Sequence, residues 1–307
     1  MIKRVHIFVG EFSYALNWHG PWLNQIINDS SYHDTVVTLP AYASIYRKYA
    51  DDIDVLPYDV WSRLGKLATI GEHNNGQDIT PTFIIDYCKE KYNDCEIFLP
   101  PRIDPFHQNP PGIFEHFEPE LAYKNDIAEI FSNFKKEKTI MLMAKHREEG
   151  GSKGQNWNHD EWSNMIIDLL ENYNIILLEI IDENKSHGGT YKFDIEHENL
   201  ITYTIDRDDE YALDKQAWIL KLSDCSIYGS TGAANLPFWC NTPVCAIMLT
   251  KNGHRLNFNW QKKLTDDHKN NLILLIDDFN VLKYHDIKSY IASYIQENKE
   301  KYETNVN

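Results

Sequence analysis

Short apolar runs alternate with longer amphipathic stretches along most of the chain. Runs bounded by turn residues at 5–9, 35–39, 53–56 and 96–99 have the length of strands, and so do those at 139–144, 174–181, 200–204, 226–229, 244–249 and 272–276. The 174–181 run is apolar almost without interruption, the pattern of a strand buried on both faces of a parallel sheet. Between these runs the apolar residues fall three and four apart. Trp162, Met165, Ile166, Leu169 and Leu170 form one face of a helix over 160–171. Further helices are expected over 21–28, 80–92, 121–135, 211–222 and 284–301, with Pro21 at a helix entry and Pro81 at a first helical position.

Residues 100–119 break the alternation. Pro100, Pro101, Pro105, Pro110, Pro111 and Pro119 leave no room for a regular element, so this stretch reads as a crossover between domains. Strands alternating with helices on either side of it predict an α/β fold: two Rossmann-like domains, 1–120 and 121–307, facing a cleft. In open parallel sheets ligands sit outside the carboxyl ends of the strands, which is where functional loops are to be sought.

Composition narrows the class. The chain has 307 residues, of which 42% are hydrophobic and 13% aromatic, enough for two ordinary cores. No apolar run approaches the roughly 18 residues that span a bilayer. The basic start, Met1 to Arg4, is followed by an apolar run too short for a signal peptide, so 5–9 reads as a first strand. Cys88, Cys95, Cys225, Cys240 and Cys245 form no CxxC pair, and an odd number of scattered thiols fits a reduced, cytoplasmic protein. A net charge of −16 disfavours nucleic acid and anionic membrane surfaces as partners. A small anion held by a few cations in a cleft remains compatible with it.

Two loops carry such chemistry. After the 226–229 strand, Ser230, Thr231, Gly232, Ala233 and Ala234 pack small and hydroxylic residues into a turn before a short helical run. Backbone N–H groups at such a turn lack intrahelical partners, and the helix dipole favours negative charge there, so the turn is a candidate phosphate cradle. After the 139–144 strand comes a loop with Lys145, His146, Arg147 and Lys153 set among Gly150, Gly151 and Gly154. Arg147 can fork onto a phosphate and Lys153 can act as a point charge. The structural alternatives are plain: small residues for packing at the turn, and a solvated basic loop. The P-loop spacing is absent.

Taken together, the two loops resemble the donor-binding domain of GT-B glycosyltransferases, nearest to the ADP-heptose:lipopolysaccharide heptosyltransferase type. The resemblance rests on 145–157 followed by the Trp162 helix, and on 230–236 followed by Asn241, Thr242, Pro243 and Val244. It covers roughly 139–250. Ser230 stands where the family's turn carries an acidic residue, and Asn235 where it carries a histidine. The resemblance implies a nucleotide-sugar donor bound by Lys145, Arg147, Lys153, Ser230, Thr231, Gly232, Ala233 and Asn235, its diphosphate resting on the amides from Ser230 to Ala234 with Arg147 and Lys153 as counter-charges. It implies a saccharide or other hydroxyl acceptor on the first domain and no required metal or other cofactor. It also implies a catalytic base just after the first strand, which here is Glu11, with His19 as its rival.

Other readings stay open at this level. A nucleotide-sugar 2-epimerase has the same layout; a glycosyltransferase acting on DNA bases is disfavoured by charge; a binding protein could keep the fold without the base. Asp52 with Asp54, and Asp206 with Asp208, match the metal-binding D-x-D spacing, which an acidic chain produces by chance. His73, His107, His116, His187 and His197 show no metal-ligand spacing. Neither the dinucleotide glycine fingerprint nor a serine-hydrolase elbow occurs.

Overall fold

In the computed structural model, which describes residues 2–10, 12, 15–27, 31–64, 80–99, 115–146, 156–180, 189–206, 208–250 and 271–304, every strand expected from the apolar runs forms, displaced by a few residues at most. The chain divides into two compact units, Met1–Glu115 with Arg207–Leu213, and His116–Asp206 with Asp214–Asn307. The first of these divisions follows Glu115, and a short piece of the second half belongs to the first unit. Side chains explain that placement: the Arg47 guanidinium pairs with Glu210 at 2.8 Å and lies 3.9 Å over the Tyr211 ring.

In the first unit, β1 (Ile2–Phe8), β2 (Tyr32–Thr38), β3 (Asp52–Val55) and β4 (Cys95–Phe98) form a parallel sheet in the order β3-β2-β1-β4. A π-helical turn, Ala15–His19, leads into α1 (Gly20–Ile26). Helix α2 (Thr82–Lys91) starts one residue later than expected. Pro81 is extended, with ψ 141°, and its carbonyl accepts from Ile84 N at 3.0 Å, so it caps the helix instead of occupying the first helical position.

Alternation along β1 puts Arg4, His6 and Phe8 on one face. Asp34 on β2, 2% exposed, takes both Arg4 donors at 2.8 and 2.6 Å and sits 2.7 Å from His6 Nε2. Burial holds the His6 imidazole below its ordinary value, against the opposing pull of Asp34. A buried carboxylate is tolerable only when so paired, and removing it strands a cation. Asp34→Ala is therefore expected to lower the stability of this unit by about 3 kcal/mol or more, read as a lowered urea midpoint. A midpoint within experimental error of wild type would mean that the pair is not stabilising.

In the second unit the parallel order is β10-β9-β8-β5-β6-β7. The strands are β5 (Thr139–Met143), β6 (Asn174–Ile180), β7 (Leu200–Ile205), β8 (Cys225–Tyr228), β9 (Val244–Leu249) and β10 (Leu272–Ile276). Helices α3 (Lys124–Ser132), α4 (His159–Leu170), α5 (Ala212–Leu222, from Asp214 on), α6 (Leu236–Trp239) and α7 (Tyr284–Thr304) complete it. The expected stripe on α4 is buried, with Trp162 fully enclosed. Asn158 caps α4 by accepting from Asp160 N at 2.7 Å. Helix α7 packs on the same core through Ile287, Ile291 and Ile295. It is fastened by Tyr284 N donating to Glu161 at 2.7 Å and Tyr284 Oη donating to Asp168 at 2.6 Å.

Strand order reverses direction between β5 and β8, the switch point at which open α/β sheets bind ligands. On the other side of β5, the described part of the β6-to-β7 connection is irregular. Residues 189–199 carry no helix, and from 191 to 196 they alternate between half-buried Tyr191, Phe193 and Ile195 and exposed Lys192, Asp194 and Glu196.

Candidate functional site

The two loops singled out in the sequence meet at the β5/β8 switch point. Met143 and Tyr228 are paired, and Gly229 N donates to Met143 O at 3.1 Å just beyond the last pair. A Cβ on Gly229 would stand 3.2 Å from the Trp162 ring and 3.4 Å from Lys145 N, so a larger residue here would press on the Trp162 ring. Two residues past β5's end, Lys145 turns its ammonium onto Thr231 Oγ1 at 3.0 Å, both groups buried.

Thr231 is the hub of the turn. Its backbone is extended, its hydroxyl also accepts from Ala233 N at 3.3 Å, and its carbonyl accepts from Ala234 N at 3.2 Å. Asn235 Nδ2 donates to Gly232 O at 2.9 Å and closes the turn from the other side, while Asn235 Oδ1 is buried with no hydrogen-bond partner among the described residues. Ser230 is 2% exposed, and Gly232 and Ala233 are half-buried. The element that follows is a 3-10 turn, Gly232–Asn235, and then the four-residue α6. So short a helix adds little dipole. The positive character of this turn comes from the Lys145 ammonium more than from a helix end.

Arg147 and Lys153, and the Glu11 expected as base, lie outside the described residues. His19, expected as the rival base, is enclosed within the first unit. It is 1% exposed, stacked on Phe8 with ring centroids 4.6 Å apart, and its Nδ1 is 3.0 Å from Tyr46 Oη. Burial pulls its pKa down to about 3. An imidazole so enclosed and so weakly basic does not take a proton from a substrate at neutral pH. Its titration has a consequence for folding. Above pH 6.5 it is neutral folded or unfolded; between 6.5 and about 3 only the unfolded chain takes up the proton. The first unit is therefore expected to lose stability as pH falls through that window, and His19→Gln to flatten the slope. A pH profile unchanged by the substitution would refute this origin.

The D-x-D pair on β3 is occupied by structural partners: Asp52 is 2.6 Å from His33 Nε2, and Asp54 accepts from Lys91 at 2.7 Å and Tyr92 Oη at 2.6 Å. Among the described residues no group of three or more His, Cys, Asp or Glu side chains is arranged to hold a metal ion. The five cysteines are free thiols, and burial raises Cys88 and Cys245 to about 12. No helix among the described residues is long and apolar enough to cross a membrane.

A cavity of about 180 Å3 opens beside the same strand ends. Its floor is Leu142, Ala144 and Leu177; Tyr191 and Phe193 wall it, and Glu179 supplies a carboxylate. The wall is tied to β5's exit: His146 N donates to Gly189 O at 3.0 Å and Tyr191 N to Ala144 O at 2.9 Å, with Lys145 bridged to Thr190. His146 packs on Tyr191 at 4.4 Å and His159 stacks on Phe193 at 4.9 Å. The sequence reading passed over this wall, although its signal was present in the strict alternation from Tyr191 to Glu196.

No protein-family model and no curated protein matches the chain. Solved structures do. Escherichia coli ADP-heptose lipopolysaccharide heptosyltransferase II superposes with a TM-score of 0.55 at 9% identity, covering 97% of this chain and 100% of that one. A family 9 glycosyl transferase from Veillonella parvula gives 0.59 at 11%, covering 96% and 97%. The iron-containing, dodecameric heptosyltransferase TibC of Escherichia coli, in complex with an ADP-heptose, gives 0.52 at 10%, covering 97% and 76%.

The chain has the GT-B fold. The likeness that the motifs carried over 139–250 thus extends to nearly the whole chain, including the first half, where no motif had matched. At 9–11% identity it is a likeness of fold.

Proposed function

We propose that this GT-B protein is a glycosyltransferase that moves a sugar from a nucleotide-sugar to an acceptor hydroxyl and needs no metal. The observation that carries the reading is the buried contact between Lys145 and Thr231, which joins the basic loop to the small-residue turn at the switch point. A diphosphate on that turn meets a cation already fixed in place. As the bond between the anomeric carbon and the phosphate oxygen breaks, negative charge grows on the departing nucleoside diphosphate. A preoriented ammonium stabilises that charge without reorganising. Arg147 and Lys153 belong to the same loop and add charge to it. The acceptor oxygen attacks the anomeric carbon and gives its proton to Glu11, the carboxylate next after β1.

The test begins with binding. UDP-, GDP-, ADP- and CMP-sugars are screened by thermal shift, and those that bind are assayed for nucleoside release with and without EDTA. At least one is expected to raise Tm and to be turned over in EDTA. If none shifts Tm, the donor reading is wrong. If activity vanishes in EDTA and returns with a divalent metal, the metal-free chemistry is wrong. Binding without turnover over a range of hydroxyl acceptors would favour a non-catalytic binder. Conversion of the sugar without an acceptor would favour an epimerase.

A further inference from the structure

We propose that the cavity under Tyr191 and Phe193 receives the base of the donor nucleotide and that Glu179 selects guanine. The inference rests on the reading of the Thr231 turn as the diphosphate site. The cavity and the turn flank one residue: Ala144 lines the cavity floor, and Lys145 next to it holds Thr231. Its shape suits a flat ring. Two aromatic walls, each braced by a histidine, face an apolar floor, and its 180 Å3 is on the order of one heterocyclic base.

Glu179, Lys192 and Thr202 are the polar residues of the lining, and the Glu179 carboxylate is the group matched to the base. Glu179 lies near the end of β6 with a side chain 16% exposed. Its Oε2 accepts from Thr204 Oγ1 at 3.0 Å, which orients the carboxylate. Its Oε1 accepts no hydrogen bond among the described residues; the nearest cation, the largely exposed Lys192 ammonium, is 3.6 Å away. A carboxylate only accepts, and each oxygen has two lone pairs. Guanine offers two adjacent donors, N1–H and the 2-amino group, which match it. Adenine sets an acceptor nitrogen beside its amino group, cytosine does the same, and uracil places its single N–H between two carbonyls. Each of these turns at least one acceptor toward the carboxylate. The solved neighbours named for ADP-heptose share the fold, but the carboxylate in this cavity points to a different base.

Calorimetric titration of the full chain with GDP, ADP, UDP, CDP and inosine diphosphate tests this. GDP is expected to bind about tenfold or more tighter than ADP, UDP or CDP. Inosine diphosphate, which lacks the 2-amino donor, is expected between GDP and the others. Glu179→Gln should erase the GDP advantage, bringing GDP affinity down to the range of the other diphosphates. Equal affinity for all the diphosphates overturns the proposal. So does a Glu179→Gln variant that weakens all of them alike, the result expected if the carboxylate holds ribose hydroxyls. The inosine comparison needs no variant and stands if Glu179→Gln does not fold. If some diphosphates bind without base preference, the base assignment fails and the donor site survives; if none binds, both fall.

Discussion

Replacing Lys145 by methionine is expected to lower the rate of nucleoside diphosphate release about a hundredfold to a thousandfold at saturating donor. Methionine keeps an unbranched, apolar stem of similar length in the buried slot beside Gly229, so the strand exits are not forced apart. What it removes is the ammonium on Thr231 Oγ1. That cation is worth most when charge builds on the departing phosphate, so kcat falls further than donor affinity does. Lys145→Arg keeps the charge in a larger planar group and should restore only part of the rate. Single-turnover kinetics separate the chemical step from product release. An unchanged chemical rate in a folded Lys145→Met variant would make the lysine a packing element of the turn.

Glu11→Gln carries the other large effect. The amide keeps the shape and hydrogen-bonding reach of the side chain and loses its ability to take a proton. Transfer to an acceptor should drop by about a hundredfold to ten-thousandfold, the range general base catalysis supplies. Donor binding, measured by titration in the absence of acceptor, should stay as in wild type. That split distinguishes a base from a residue that shapes the donor site. Because His19 is buried and binds protons only near pH 3, it offers no substitute base in the variant. If transfer survives Glu11→Gln, the proton leaves by another group.

The two substitutions probe loops that differ in how they could be read. Strand and helix positions were legible because burial imposes a period on the sequence, two in a strand and 3.6 in a helix. The Trp162 face and the continuous apolar run of β6 are examples, and both lie where the periodicity put them. The small-residue turn and the basic loop were legible as compositional exceptions at strand ends. The surroundings of His19 were not legible, because a histidine near a candidate loop looks the same in sequence whether it faces solvent or Phe8 and Tyr46. The aromatic wall at Tyr191 and Phe193 was overlooked because a single alternating stretch, Tyr191 to Glu196, reads as half-buried strand and gives no sign of what it covers.

By itself the sequence determined the α/β class and the strands, since both follow from the local burial period. Tertiary structure alone decided which distant residues touch. Lys145 and Thr231 are 86 positions apart, and Arg4 and Asp34 are 30 apart. Their contacts depend on strand order and register: β5 lies beside β8, and Arg4 stands opposite Asp34. Those relations are set by how whole elements pack and cross over, and no window of sequence contains them. The return of 207–213 to the first unit is of the same kind, fixed by one arginine meeting a carboxylate and a ring 163 and 164 positions away.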